Sequence, residues 1–325
     1  MSKVKKKVLV TGAAGFLGPA ICEALHEAGY EVHGLLEKNR KSPVEKPWLR
    51  LHCIDLKDSK PLVKLLRGIP MVIHNAGALS RFKEEQLINV NVGLTRELAN
   101  NAVQAGVERL VFTSSQAVGG PSAGPCPKKE TDPDCPVSPY GRSKKRAEEV
   151  LYTFKDKLHI VSLRYCPIYG PRGREFLPLF KILSGRIHPL VGSKPTYINL
   201  IYVEDAARAA VAALEAEVPS GSYYYISDGI DYTDTHFYDL ICQALESGGT
   251  RIRVPFWLAS LAAWLQNDVL KKSSVFTRDK VNEMKARYWL SSPEKAISEL
   301  NWKPEVRSEE GLYNTVRWYR YKRWI

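Results

Sequence analysis

Val8-Leu9-Val10-Thr11-Gly12-Ala13-Ala14-Gly15-Phe16-Leu17-Gly18 runs from a short apolar strand into a turn with glycines three residues apart. The segment from Ile21 to Ala28 then reads as a helix that ends near Gly29. Strand, glycine turn and helix in this order suit a pyrophosphate. Glycines let the backbone come close to it, and the helix N-terminus stabilises its charge. A tight turn without a ligand is the competing reading, and the regular spacing between strand and helix disfavours it. The lysines at 3, 5, 6 and 7 before the uncharged run Val8 to Cys22 resemble a secretory signal. Gly12, Gly15, Gly18 and Pro19 interrupt that run and no clean cleavage site follows, so a buried strand and loop of the mature protein is expected.

Outward from this turn, strands and helices alternate. Glu31 to Leu36, Leu49 to Asp55, Met71 to His74, Arg109 to Thr113 and Leu158 to Arg164 read as strands. Lys60–Arg67 and Val90–Ala105 read as helices, and Gly119 to Pro139, rich in Gly, Pro and Asp, as a loop. This alternation predicts an α/β fold with a doubly wound parallel sheet, whose ligands bind beyond the carboxyl ends of the strands. Gly12, Asp55, Asn75 and Ser115 all fall on that edge. Further on, Tyr197 to Val203 reads as a strand, Glu204 to Ala216 as a helix and Tyr223 to Ser227 as another strand. The expected division is a dinucleotide-binding domain over residues 1–166, receiving about 197–227, and a smaller substrate-binding part over 167–196 and 228–325.

The net charge of +12 attracts anions in general. No nucleic-acid-binding module accompanies it, so a solvated basic surface is the default and nucleic acid is not expected as a partner. The six cysteines, at 22, 53, 126, 135, 166 and 242, are scattered without zinc-type pairing. Free thiols in a reducing compartment, a cytoplasmic location and no metal are expected. No apolar run reaches the roughly 18 residues of a membrane span.

Pro139-Tyr140-Gly141-Arg142-Ser143-Lys144 opens a segment of good helix formers. On a helix Tyr140 and Lys144 share one face, a turn apart. A cation beside a phenol favours the phenolate and is expected to lower its pKa. Alone, such a pair is common on solvated helices.

The ordered set Thr11-Gly12-x-x-Gly15-x-x-Gly18, Asp55, His74-Asn75-Ala76-Gly77, Asn91, Thr113-Ser114-Ser115, Tyr140-x-x-x-Lys144, Arg164-Tyr165-x-Pro167-x-Tyr169-Gly170 and Tyr202-Val203-Glu204-Asp205 resembles the extended short-chain dehydrogenase/reductase superfamily, the NAD-dependent epimerase/dehydratase family. The likeness runs through nearly the whole chain and rests on order and spacing rather than on any one element. It implies a Rossmann-type fold and a nicotinamide cofactor. Tyr140 would be the general acid/base, Lys144 would hold the nicotinamide ribose, and Ser115 would bond the substrate oxygen. Ser115 is preferred to Ser114 because the family's serine stands 25 residues before the tyrosine. The residues implied at the cofactor are Gly12, Ala14, Gly15, Phe16, Leu17, Gly18, Glu37, Asp55, Leu56, Asn75, Ala76, Gly77, Asn91, Thr113, Tyr140, Lys144, Tyr165, Pro167 and Ile168. Strand-end capping for Ser114 and Ser115 and a helix-start cap for Asn91 are the competing readings. Leu79, Val118, Tyr169 and Ile198 are the implied substrate positions. Relatives dimerise through the helices corresponding to Val90–Ala105 and the Tyr140 segment, so a homodimer is expected.

Glu37, just after the second strand, favours NAD by repelling a 2′-phosphate. Lys38, Arg40 and Lys41 lie close enough in sequence to accept one, and NADP remains the alternative. Nucleotide-sugar epimerases and dehydratases usually carry a diphosphate-clamping Arg where Ile198 stands here, and Arg172, Arg174 or Arg186 are the candidate replacements. Glu175-Phe176-Leu177-Pro178-Leu179-Phe180, Asn199-Leu200-Ile201-Tyr202-Val203 and Val254-Pro255-Phe256-Trp257-Leu258-Ala259 resemble the 3β-hydroxysteroid dehydrogenase-like branch. The expected activity is therefore interconversion of a secondary alcohol and a ketone on an apolar, sterol-like or acyl-type small molecule. A nucleotide-sugar epimerase is the alternative, and a cofactor-binding redox sensor is disfavoured because Ser115, Tyr140 and Lys144 are all present. Gln116-Ala117 after Ser115 replaces the acid pair that dehydration needs. For Phe256, Trp257 and Trp264 a packed core helix competes with substrate contact. The segment Phe256 to Leu265, with Lys271 and Lys272 beyond it, and the tail Arg317 to Ile325 could rest on an anionic membrane, but a terminal helix with a solvated basic face is the default.

Overall fold

The computed structural model describes residues 5–37, 46–78, 83–264, 283 and 285–325. Seven strands form one parallel sheet: β1 (Lys7–Thr11), β2 (Glu31–Leu36), β3 (Leu49–Cys53), β4 (Met71–His74), β5 (Arg109–Ser115), β6 (His159–Tyr165) and β11 (Ser222–Ile226). Their order is β11-β6-β5-β4-β1-β2-β3, and every neighbouring pair is parallel. The order reverses between β1 and β4, which opens a crevice at their carboxyl ends.

Alternation along the strands builds the two apolar layers. Val8, Val10, Ile73 and Val111 pack with Ile21 and Leu25 of α1 (Gly18–Glu27) and with Ala206 and Ala210 of α7 (Val203–Glu215). Leu9, Val72, Leu110 and Phe112 face the other way. They pack with Leu62 of α2 (Ser59–Leu66), Leu98 of α4 (Leu94–Ala105) and Leu151 of α5 (Pro139–Tyr152). Each such side chain contributes about 1.5–3 kcal/mol on burial, so a one-residue slip of any central strand would invert its packing. This is the Rossmann-type doubly wound sheet that the alternation of elements predicted.

Two predicted elements differ. The helix expected over Val90–Ala105 begins earlier, as α3 (Glu84–Ile88), and widens into a π turn over Asn89–Gly93 before α4. The wider turn turns the Asn91 amide towards Ala78 and Ser143. The strand expected over Tyr197 to Val203 is broken into β9 (Tyr197–Ile198) and β10 (Ile201–Tyr202). Asn199 between them is fully buried. Its amide nitrogen donates to the carbonyl of Ile230 and to Asp231, and its oxygen accepts from the Ser291 N–H, which pulls the backbone out of strand geometry.

Short sheets complete the C-terminal part. β7 (Ile168–Tyr169) pairs with β10, while β9 pairs with β12 (Tyr232–Thr233) and β14 (Tyr288–Trp289). β8 (Ile187–Val191) pairs with β13 (Thr250–Val254). Helices α6 (Leu177–Leu183), α8 (Asp234–Leu245), α9 (Phe256–Trp264), α10 (Glu294–Glu299) and α11 (Ser308–Tyr321) fill the remainder. In α9, Phe256 packs with Val191 and Val254, but Trp257 is 69% exposed, so the core-helix reading does not hold for Trp257. The aromatics of the tail fold inwards: Tyr319 is buried, Trp324 stacks on it at 5.6 Å, and Arg174 lies over the Trp324 ring at 5.0 Å. Among the described residues no helix is long and apolar enough to cross a membrane.

Candidate active site

Helix α5 starts where it does because Ser138 caps it and Pro139 follows at its first turn. The Ser138 hydroxyl accepts from the Gly141 N–H at 3.2 Å. Gly141 then lets the helix touch the turn that follows β5. A Cβ at this position would overlap the carbonyl oxygen of Ala117. This close approach sets the Tyr140 phenol beside the Ser115 hydroxyl, which also accepts from the Ala117 N–H at 3.2 Å. One turn along, Lys144 is buried and its Nζ donates to the carbonyl of Thr113 at 2.7 Å, with the ammonium 4.4 Å over the Phe112 ring.

The electrostatics differ from the expectation of a phenol acidified by its lysine. Burial, then the charge of Glu175, holds the Tyr140 phenol well above its ordinary value, and Glu283 adds to this while the Ser115 hydrogen bond opposes it. Tyr140 is therefore protonated at neutral pH and poised as a proton donor. Burial also pushes Lys144 down to about 8, against the pull of Glu148.

Beneath this pair lies a hydrogen-bonded floor. The Thr11 hydroxyl accepts from the backbone N–H groups of Asn75 and Ala76 at 3.1 and 3.0 Å. It also bonds His74 Nδ1 at 2.9 Å. His74 Nε2 reaches Thr95 at 2.9 Å, and burial holds the imidazole neutral, with its pKa lowered to about 3. Asn75 Nδ2 donates to the Gly12 carbonyl, and the Thr113 hydroxyl donates to the His74 carbonyl and to Asn75 Oδ1. Asn91 is not a helix-start cap. Its oxygen accepts from Ala78 N–H at 2.7 Å and its nitrogen donates to the Ala78 carbonyl and to Ser143 Oγ. A Cβ on Gly77 would meet Asn91 Oδ1 at 3.1 Å and Lys144 Nζ at 3.6 Å. The ends of β1, β4 and β5, the π turn and α5 are thus tied into one rigid edge.

The glycine turn at this edge fits a dinucleotide. Gly12 has φ +66°, and a Cβ on Gly18 would overlap the Gly12 carbonyl, so the turn closes tightly onto α1. Helix α1 begins without a side-chain cap and without an acid in its first turn, which leaves its amino end to a bound anion. Ala14, Gly15 and Phe16 are partly exposed there, while Leu17 is buried in the core. Asp55 and Glu37 are exposed at the ends of β3 and β2. Asp55 Oδ1 accepts from Lys57 N–H at 2.9 Å, and Leu56 is buried. Lys38, Arg40, Lys41, Leu79, Lys271 and Lys272 lie outside the described residues.

Several implied contacts fall elsewhere. The Tyr165 side chain is buried and its hydroxyl donates to the Ala206 carbonyl, so it serves the packing of β6 against α7 rather than the sheet edge. Tyr169 is 2% exposed, tilted against the Tyr202 ring at 5.6 Å and pressed against Gly311 of α11, and Val118 is fully buried. Neither presents surface to a substrate in this structure, and for Tyr169 the C-terminal helix closes over the ring at Gly311. Pro167, Ile168 and Ile198 are partly exposed.

Two residues of this region carry no motif of their own. Gln116 is only 3% exposed, and neither of its amide atoms has a hydrogen-bond partner among the described residues. It directly follows Ser115. Ser114 faces the other side of β5, where its hydroxyl donates to Glu148 at 2.5 Å and Glu148 in turn is held by Arg164. A buried amide without partners shows only in three dimensions. The sequence signal for Glu148 is its place four residues after Lys144.

The model of a family described as "NAD dependent epimerase/dehydratase family" matches residues 8–226. The 2-alkyl-3-oxoalkanoate reductase of Stenotrophomonas maltophilia is 29% identical, over 94% of this chain and 97% of its own. The UDP-glucuronate 4-epimerase of Thermodesulfobacterium geofontis is 28% identical over 95% of each chain. The UDP-glucose 4-epimerase of Thermus thermophilus, solved as a complex with NAD, superposes with a TM-score of 0.77 at 26% identity, over 97% of this chain and 99% of that one. This chain belongs to the NAD dependent epimerase/dehydratase family and is an oxidoreductase of the extended short-chain dehydrogenase/reductase type.

Proposed function

We propose that this protein interconverts a secondary alcohol and a ketone on an apolar, acyl-type substrate, with Tyr140 as the acid/base. The observation that carries this is the placement of the Tyr140 phenol beside Ser115 by the close approach of Gly141 to the Ala117 carbonyl, one helical turn from the buried Lys144 whose Nζ donates to the Thr113 carbonyl. In the direction of reduction the phenol donates its proton to the substrate oxygen, and Ser115 Oγ bonds the same oxygen as charge develops on it. Lys144 and the glycine turn from Gly12 to Gly18 would hold the cofactor, and Asp55 would meet its adenine end. When bound, the nicotinamide supplies or accepts the hydride. Exposed Glu37 after β2 supports NAD over NADP.

The substrate class rests on three further points. Ile198, apolar and partly exposed, stands where the family likeness puts a diphosphate-binding Arg. Arg174, one candidate replacement, is stacked on Trp324. The Stenotrophomonas relative is, by its name, a reductase of 2-alkyl-3-oxoalkanoates. The unpartnered amide of Gln116 supports a polar group close to the reacting carbon, as a 3-oxoalkanoate has.

A nucleotide-sugar 4-epimerase is the second reading, favoured by the likeness to the Thermodesulfobacterium and Thermus epimerases. One assay separates the two. Purified protein is given NADH with a 2-alkyl-3-oxoalkanoate or a 3-ketosteroid, and in parallel UDP-glucose without added cofactor. Net NADH oxidation with a ketone supports the proposal. Epimerised UDP-sugar with no net redox change overturns it.

A further inference from the structure

Three consecutive residues at the end of β5 each meet one residue on a single face of α5. Ser115 lies beside Tyr140, the Thr113 carbonyl accepts from Lys144, and the Ser114 hydroxyl donates to Glu148 Oε1. Tyr140, Lys144 and Glu148 are four residues apart, so they rise along one helical stripe. Two of these side chains belong to the site already described. The third, Glu148, does not face it.

Behind Glu148 sits Arg164 of β6, whose side chain is 3% exposed against 12% for Glu148 and 17% for Asp134. Its Nη2 donates to Glu148 Oε2 at 2.7 Å and its Nε to both carboxylate oxygens at 3.1 and 3.2 Å. Its Nη1 and Nη2 donate to Asp134 at 2.6 and 3.0 Å. The guanidinium stacks 3.7 Å over Tyr223 and donates to Tyr225 Oη at 3.4 Å. A buried carboxylate is costly unless paired and hydrogen-bonded, and this one has a forked cation on one side and a hydroxyl on the other. Glu148 is the carboxylate one turn along α5 from Lys144, and among the described residues the Lys144 Nζ otherwise meets the Thr113 carbonyl and the Phe112 ring.

We propose that Glu148 is a positioning residue for the Tyr140–Lys144 pair: clamped by Arg164, it fixes the register of α5 against the end of β5 and supplies the counter-charge for Lys144. The inference rests on the reading of Lys144 as the residue that holds the nicotinamide ribose. Among the described residues, the charged and titratable groups beside Lys144 are Glu148 and, by helical spacing, Tyr140 on α5 and His74 on β4, and the last is neutral. Those behind Glu148 are Arg164 on β6, Asp134 and Glu130 in the loop before α5, Lys145 beside Asp134, and Tyr223 and Tyr225 on β11. Of these groups, the Glu148 charge is the one that favours the protonated ammonium.

The test is the affinity for NADH, measured by fluorescence titration from pH 6 to pH 10 on the full-length protein. In the wild type, binding is expected to weaken as Lys144, pushed down to about 8, loses its proton. The Glu148→Gln protein keeps a hydrogen-bonding partner for Ser114 but lacks the charge. Its binding is expected to weaken at a pH lower by ~1 unit, with a roughly five-fold loss at pH 8 and little at pH 6. Glu148→Asp, which restores the charge, is expected to move the midpoint back towards the wild type, and it serves as the variant to measure should Glu148→Gln not fold. A loss equal at every pH would make Glu148 a structural residue only, and an unmoved curve would also overturn the proposal. Absence of NADH binding by the wild type at every pH would instead remove the reading of Lys144 on which the inference stands.

Discussion

Replacing Gln116 with Met separates what is good for the site from what is good for the fold. The thioether has nearly the length and volume of the amide but no strong hydrogen-bonding atom. In the free protein Gln116 buries two polar atoms that find no partner among the described residues. Each such atom costs about 1–3 kcal/mol. Taking the lower end for both, Gln116→Met should stabilise the free protein by roughly 2 kcal/mol. For a chain of this size 1 kcal/mol corresponds to about 2 °C, so the melting temperature should rise by ~4 °C. Urea denaturation checks the same quantity, with the midpoint moving up at constant slope. Turnover should fall at least ~10-fold, because the polar group of the substrate that the amide would meet loses its partner. A drop in melting temperature on Gln116→Met would refute the reasoning, since it would show the amide to be satisfied in the fold. A gain in stability with unchanged kcat/KM would refute its place at the substrate.

The other predictions are simpler to state. Tyr140→Phe should reduce turnover by ~10²-fold or more while NADH affinity stays close to wild type; retained turnover would remove Tyr140 as the acid/base. Arg164→Met strands the buried carboxylates of Glu148 and Asp134 and should destabilise the protein by about 3–5 kcal/mol in denaturant titrations. Gly141→Ala forces α5 away from the Ala117 carbonyl and should cost about 1–3 kcal/mol together with most of the activity. His74, neutral and buried with its pKa lowered from 6.5 to about 3, takes up a proton in the unfolded chain first. Stability should therefore fall as pH drops from 6.5 towards 3, by up to ~1.4 kcal/mol per pH unit, and His74→Leu should flatten that part of the curve measured at equilibrium.

Much of the molecule is legible along the chain because it rests on local periodicity. Continuous apolar runs in Val8–Val10, Met71–Ile73 and Leu110–Phe112 force these segments to lie between two helical layers, and the intervening helices make the sheet parallel. The glycines at 12, 15 and 18 and the Ser138-Pro139 helix start are likewise local: steric and capping rules act over a few residues. The four-residue spacing of Tyr140 and Lys144 needs only a helix to bring them together.

Other features come from contacts between residues far apart in the chain, and no local pattern carries them. Tyr169 reads as a substrate residue by likeness, yet Gly311, more than a hundred positions later, lets α11 close over it. Asn199 breaks a predicted strand because Ile230, Asp231 and Ser291 converge on its amide. The charge state of the site is decided in the same way. A lysine next to a tyrosine suggests an acidified phenol, but burial and the fields of Glu175 and Glu283 raise it instead. The sequence alone thus determined the sheet, the phosphate turn and the pair on α5, since each follows from neighbours within a few residues. Only the tertiary structure decided which carboxylate answers Lys144 and where Gln116 is left without a partner among the described residues, because burial and electrostatics depend on the whole surroundings of a group.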